Sequence, residues 1–436
     1  MNLFDITLRI KGFPIGEATR HLEEIQKLST FDFDQYLERQ KKEITNFHLA
    51  NNPFYSSLTK NASVSDWNSL PVLTKNDLQQ PLVNRLSNGY SKRSVYINKT
   101  SGSGGHPFVF AKDKFSHALT WAMIKNRFSW HNIDLNTSLQ ARFYGIPLDA
   151  IGYQKERLKD RLSSRYRFPI FDLSDQKLEQ FFQKFKKTPF DYINGYTSSI
   201  VLFAKYLKKK EIVLKEVCPS LKVCMVTSEM LFETDKKLLE MQFGVPVVNE
   251  YGASELDLIA YTNIENQFIV NSETLFVEVL DDKNKPVPHG ESGKIVISSL
   301  YNKAHPFIRY DIGDTGVLCE SSTLQKPILK NLIGRTNDVA LLPSGKSVPG
   351  LTFYYVTKSI IEDDGNVKEF VVVQTEKDTF EIKYTSERML TSNEEAEIKK
   401  ALEIYLEPGL NLNLERVNSL DRSRRGKLKQ FTSVLG

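Results

Sequence analysis

Between residues 95 and 226 the sequence changes its hydrophobic period again and again. A strand-like Val95-Tyr96-Ile97 is followed by helix-spaced apolar residues over 115–129, an amphipathic stretch over 175–187, a helical pattern over 198–209 and a strand at 223–226. Short apolar strands alternating with amphipathic helices bury both faces only when helices cover a largely parallel sheet, so an α/β architecture is expected. With 436 residues, several such layers fit, since a domain takes about 100–200 residues.

Composition narrows the class further. Hydrophobic residues at 40% and charged residues at 25% are ordinary for a folded chain, which excludes disorder and fibrous repeats. A formal net charge of +5 gives no global argument for nucleic acid. Cys218, Cys224 and Cys319 make neither a disulfide framework nor a zinc spacing. Asp5, Arg9 and Lys11 interrupt the first apolar stretch, and no run of 18 apolar residues occurs, so neither a signal peptide nor membrane insertion is expected. The expected location is the cytoplasm.

The first 90 residues read as a helical cap, with apolar spacing of three and four over 17–28 and 33–46. From 267 to 316 short strands at 268–270, 275–279 and 294–297 predict an antiparallel, β-barrel-like subdomain. Past Gly334-Arg335 a small α+β unit is expected, with a hairpin pairing 370–374 and 380–384. A helix over 393–406 then follows, capped by Ser392 or Thr391 and stopped by Pro408-Gly409.

Five segments carry the chemistry. Thr100, Ser101, Gly102, Ser103, Gly104 and Gly105 place three hydroxyls and three glycines after a strand, a composition that either wraps phosphate oxygens or forms a solvated turn. Asn249, Glu250, Tyr251, Gly252, Ala253, Ser254 and Glu255 follow an apolar strand, where ligands of open α/β sheets bind. There Tyr251 can cover a base, Ser254 can donate to a phosphate and Glu255 can hold Mg2+; the alternative is a capped helix start. Asp314 ends Arg309-Tyr310-Asp311-Ile312-Gly313-Asp314 and can accept from ribose hydroxyls or close an Asx turn. Arg335 sits at the proposed interdomain joint. The last segment, 422–429, holds five cations in eight residues, including Lys427, and a solvated basic tail accounts for it equally well.

Taken in order, these segments resemble the adenylate-forming superfamily of acyl-CoA synthetases. More narrowly they resemble the phenylacetate-CoA ligase family and its CapK-like capsule-biosynthesis branch. The narrower likeness rests on Leu70-Pro71-Val72-Leu73-Thr74-Lys75-Asn76-Asp77-Leu78 and Pro306-Phe307-Ile308-Arg309-Tyr310. The resemblance implies a large adenylation domain over 1–332 and a small mobile domain over 333–436. It implies residues 100–105 over the β- and γ-phosphates of ATP, and Thr227, Ser228 and Glu229 along the adenine pocket. Asn249 to Tyr251 then contact adenine, Ser254 the α-phosphate, Glu255 the Mg2+, Asp314 the ribose and Arg335 ribose or phosphate. Lys427 bridges the substrate carboxylate and the α-phosphate. Residues 143–145, 195–197 and 252–253 fall where an acid pocket is expected.

Three positions depart from the family pattern: His106 stands where a lysine is common, Asp311-Ile312-Gly313 precedes the ribose aspartate, and Asn337 occupies the hinge. Lys112 or Lys114 is the expected substitute for the missing loop cation. The implied activity is conversion of an aryl or similar carboxylic acid to an acyl-adenylate with release of pyrophosphate, followed by transfer to CoA or, alternatively, to an amine during capsule or surface-polysaccharide assembly. A homodimer is compatible with this. A nucleotide-binding scaffold without turnover is the competing class, which the joint presence of Glu255, Asp314, Arg335 and Lys427 argues against. A serine hydrolase lacks its G-x-S-x-G, and a nucleic-acid binder would rest on 422–429 alone.

Overall fold

The computed structural model describes residues 3–59, 66–78, 80–99, 108–145, 150–170, 173, 175–335, 339–345, 347–349, 353, 356–357, 366–421 and 431–435. The chain divides into two compact units, one of Met1–Ile312 with Gly316–Asn331 and one of Gly313–Thr315 with Leu332–Gly436. Among the described residues no helix is long and apolar enough to cross a membrane.

In the first unit β1 (Tyr96–Lys99) and β2 (Val109–Lys112) form an antiparallel hairpin. A seven-stranded sheet follows from β3 (Gln140–Phe143), β4 (Arg165–Phe168), β5 (Tyr192–Tyr196), β6 (Val223–Thr227), β7 (Val247–Ala253), β8 (Asp257–Thr262) and β9 (Phe268–Val270), in the order β4-β3-β5-β6-β7-β8-β9. The first five strands in that order are parallel and the last two antiparallel. Helices Asp175–Lys187, Thr197–Lys209 and Glu233–Phe243 cover one face, burying Phe181, Phe185, Phe203 and Phe243 against Phe143, Ile193 and Val226. Each such side chain contributes about 1.5–3 kcal/mol on burial. On the other face Phe128 of helix Lys114–Ser129 packs on Tyr192, Met225, Val248 and Tyr261.

Beyond it, β10 (Leu275–Leu280), β11 (Ser292–Ser299), β12 (Tyr310–Leu318) and β13 (Leu329–Arg335) make a four-stranded sheet. Phe268–Val270 departs from the expectation by joining the edge of the large sheet, because its partner β8 lies next to it in the chain. The N-terminal helices do form a cap. Ile15 and Leu22 of Ile15–Gln26 pack on Leu119 and Met123, while Phe33 and Leu37 of Thr30–Asn51 pack on Leu300.

The second unit contains β14 (Val339–Leu341) paired with β15 (Ser347–Pro349). It also holds a sheet of β16 (Val367–Glu376), β17 (Thr379–Ser386), β18 (Asn411–Arg416) and β19 (Phe431–Ser433), ordered β18-β17-β16-β19. The expected hairpin is β16–β17, with Phe370 opposite Tyr384. Helix Ser392–Tyr405 buries Ile398 and Leu402, and Thr391 rather than Ser392 is its cap, in a reciprocal pair with Glu394 that satisfies two backbone donors.

Arg309 explains why the Leu70–Leu78 and Pro306–Tyr310 motifs occur together. Its side chain is wholly buried, pairs with Glu278 at 3.2 Å and donates to the carbonyls of Asn68 at 2.9 Å and Leu70 at 2.8 Å. The backbones meet as well, Leu73 N donating to Arg309 O and Asp311 N to Leu73 O. Arg309→Ala leaves the Glu278 carboxylate buried without its cation, and a loss of about 3–5 kcal/mol is expected in urea unfolding. A double Arg309→Met, Glu278→Leu variant should recover part of it; an unchanged midpoint in the single variant contradicts this role.

His48, wholly buried, donates from Nε2 to Asn302 O at 2.9 Å and faces Ser87 Oγ at 3.3 Å through Nδ1. Burial pushes its imidazole down to about 4, only partly opposed by the Asn302 carbonyl. The unfolded chain therefore binds a proton that the folded one refuses, so stability present above pH 6.5 is lost as pH falls toward 4, by about 3 kcal/mol for one such group. His48→Gln should flatten the fall of unfolding free energy between pH 6.5 and 4 by about one proton; an equally steep fall rules out His48 as its source.

Candidate functional site at the strand ends

Parallel pairing sends the C-terminal ends of β3 to β7 to one edge. Tyr196 stands opposite Thr227, and Thr227 opposite Glu250, so the 227–229 and 249–255 segments lie side by side. The backbone there is unusual: Ser228 has φ of 70° and Asp257 of 59°, left-handed values that cost a non-glycine residue about 1–3 kcal/mol and cluster at ligand sites. β7 runs on through Asn249 to Ala253 and turns back at once into β8, with Ala253 opposite Asp257, so neither a polar turn from 249 nor a helix start occurs. Gly252 is required here, because a Cβ would sit 2.6 Å from Asp257 O.

The turn fixes two carboxylates. Glu255 is buried and accepts from the Tyr310 hydroxyl at 3.0 Å. Asp257 pairs with Lys112 at the end of β2 and accepts from Thr120 Oγ1 at 2.7 Å. Both line a cleft of about 30 Å³ with Lys112 and Thr120, enough for a water or an ion. Burial pushes the Lys112 ammonium down to about 7, while the charge of Glu255 pulls it up. Lys112 spends its ammonium on the ion pair with Asp257. Lys114 is exposed.

The hairpin joins this turn to the hydroxyl-rich segment. Lys99 stands opposite Val109, so residues 100–108 are the connection between two paired strands. Arg85 anchors its exit by donating to Val109 O at 2.7 Å, and Asn302 holds Ala111 O at 2.9 Å. Residues 100–105, His106, Asn337 and Lys427 lie outside the described residues, as does the side chain of Arg335 at the end of β13.

The remaining expected residues fall as follows. Ser228 and Ser254 are exposed and Tyr251 is buried. Glu229 accepts from Ser198 N at 2.7 Å, capping helix Thr197–Lys209 from a neighbouring strand end. Asp314 is buried within β12, four residues beyond Tyr310, and is part of a strand rather than an Asx turn. Phe143 belongs to the core and Gly195 packs on it, where a Cβ would meet Phe143 O at 2.4 Å. Tyr144 and Tyr196 do meet at the sheet edge, ring centroids 4.6 Å apart. Burial raises the Glu250 carboxyl, opposed by a Thr227 hydrogen bond and by the charge of Arg142. No separate sign of Asp257 or Thr120 stood in the sequence, because each acquires its partner only through pairing of distant segments.

No family model matches the chain. In sequence it is 24% identical over 356 residues to protein CapK of Staphylococcus aureus, covering 76% of this chain and 75% of that one. It is 28% identical over 134 residues to phenylacetate-coenzyme A ligase of Thermus thermophilus, covering 28% and 29% respectively. In structure it is similar to 2-hydroxyisobutyryl-CoA ligase in the postadenylation state, with a TM-score of 0.70 and 16% identity over 94% of this chain and 90% of that one. In both its sequence relatives and its fold, the chain is similar to adenylate-forming ligases.

Proposed function

We propose that this chain activates a carboxylic acid with ATP, forming an acyl-adenylate and pyrophosphate, and then passes the acyl group to CoA. The observation that carries the reading is the turn holding Glu255 under the Tyr310 hydroxyl, linked through Asp257 and Lys112 to the hairpin that bears residues 100–105. A hydroxyl-rich loop for the outer phosphates and a carboxylate for their metal thus share one anchored framework.

In the first step a carboxylate oxygen attacks the α-phosphorus, and the bond to the β-phosphate bridging oxygen breaks. Both reactants are anions, so alignment and charge neutralisation matter more than a general base. Glu255 fits Mg2+, which takes oxygen ligands and needs only one or two protein carboxylates beside phosphates. When bound, Mg2+ neutralises phosphate charge as pyrophosphate departs. Residues 100–105 donate to the outer phosphates and Ser254, exposed at the turn, to the α-phosphate. Asn249 to Tyr251, with Thr227, Ser228 and Glu229, border the adenine, while Asp314 and Arg335 serve the ribose. Lys427 supplies the ammonium between carboxylate and α-phosphate, within the smaller domain over 333–436. In the second step the thiolate attacks the acyl carbon and AMP leaves.

Transfer to an amine is the second reading for that step, implied by the resemblance of the sequence motifs to the CapK-like capsule-biosynthesis branch. ATP–pyrophosphate exchange across a panel of acids with no acceptor tests the first step, and adding CoA or amines separates the two acceptors. Lys427→Ala should lower exchange by about 10²- to 10⁴-fold, in line with the loss of single electrostatic stabilisers. Thioester or amide formation from supplied acyl-AMP should persist. Equal loss of both half-reactions, or of neither, removes Lys427 from this role.

A further inference from the structure

A buried ion pair is often no more stable than an apolar pair of similar volume, so a lysine in the wall of the strand-end cleft points to a role beyond packing. The Lys112 side chain is 4% exposed and that of its partner Asp257 24%. Both line the cleft of about 30 Å³ together with Glu255, the carboxylate that fits the metal, and the charge of Glu255 acts on the Lys112 ammonium. One cation therefore faces two carboxylates that stand two residues apart on a single turn.

The surrounding fold decides which carboxylate it takes. Asn302 donates to Ala111 O at 2.9 Å, and Asp113 accepts from Ser116 N and Lys303 N, each at 2.8 Å, so the chain is fixed on both sides of Lys112. Thr120, about two turns along the helix that Asp113 caps, donates to the same Asp257 oxygen that Lys112 meets. Asp257 is itself held at a φ of 59°, with its carbonyl under Gly252, where a Cβ would sit 2.6 Å away. Its carboxylate is thus anchored by a strand end and a helix at once. Glu255 Oε1 accepts instead from the Tyr310 hydroxyl at 3.0 Å, a donor that brings no charge to compete with a metal ion.

We propose that Lys112 is a positioning residue for the metal carboxylate: by occupying Asp257 it keeps that carboxylate from the cation and leaves Glu255 to meet Mg2+, while Asp257 in return keeps the ammonium from Glu255. The inference rests on the ligase reading above for the role of Glu255. Removing either partner alone then has opposite effects. Without Lys112 the cleft presents two carboxylates, and Mn2+, which also takes carboxylate oxygens, is drawn in more strongly. Without Asp257 the ammonium turns to Glu255 and competes with the metal.

The test uses the full chain with two readouts: titration with Mn2+ alone, followed by electron paramagnetic resonance, and the Mg2+ dependence of ATP–pyrophosphate exchange. Lys112→Met should bind Mn2+ at least about 10-fold more tightly than wild type and Asp257→Asn at least about 10-fold more weakly, since a unit charge a few ångströms away outweighs one decade of affinity. Asp257→Asn should also raise the Mg2+ concentration for half-maximal exchange by about 10-fold and change the rate at saturating Mg2+ far less. The double variant Lys112→Met, Asp257→Asn should return both readouts to within about threefold of wild type, because neither charge remains to misdirect Glu255. Damage to packing alone weakens all three variants and gives no gain. Lys112→Met that folds and binds Mn2+ no more tightly than wild type overturns the proposal, as does a folded double variant as impaired as Asp257→Asn. Should Lys112→Met fail to fold, unchanged Mn2+ affinity in Asp257→Asn overturns it alone. The Mn2+ pattern without exchange by any acid supports the positioning role and contradicts the ligase reading; exchange without the pattern does the reverse.

Discussion

Five adjacent strands run in one direction, and the rest of the site follows from that constraint. A parallel pair cannot close through a tight hairpin, so each connection must cross the sheet face, here through helices such as Asp175–Lys187 and Thr197–Lys209. Every strand then ends at the same edge. Tyr196, Thr227 and Glu250 come into one row by backbone pairing alone, before any side chain chooses a partner. Reversal of direction at β8 happens at that edge too, which is why Glu255 and Asp257 stand there on a tight turn.

Charge distribution separates structure from chemistry. A buried ion without a counterpart is expensive, and Arg309 shows the structural solution, with Glu278 and several carbonyls around one guanidinium. Lys112 and Asp257 apply it nearer the site, where they tie the hairpin to the turn. Glu255 and Arg142 are less fully matched: the first has a tyrosine hydroxyl, the second an aromatic face. A ligand-binding edge needs such incompletely satisfied groups, and the surrounding core supplies the stability that permits them.

Periodicity made the amphipathic elements legible. The helices Lys114–Ser129 and Asp175–Lys187 and the β16–β17 pair follow their apolar spacing, because each hides a continuous stripe or an alternating face. Sequence spacing also put the 227–229 and 249–255 segments at strand ends. What it could not carry was set by pairing at long range. Asn249 to Ala253 read as a turn because polar residues interrupt the apolar run, yet β8 captures them as strand. Phe143 and Gly195 looked accessible by position, but the pleat turns them to the helix-covered face. Lys112 looked like a spare cation until burial beside Asp257 became visible.

The central claim, attack of a carboxylate oxygen on the α-phosphorus, has an atomic signature. An acid that supports pyrophosphate exchange, labelled with ¹⁸O in its carboxylate, should transfer one labelled oxygen to AMP after the acyl group moves to its acceptor. Label recovered in inorganic phosphate, with ADP as the nucleotide product, would show an acyl-phosphate route and contradict the account.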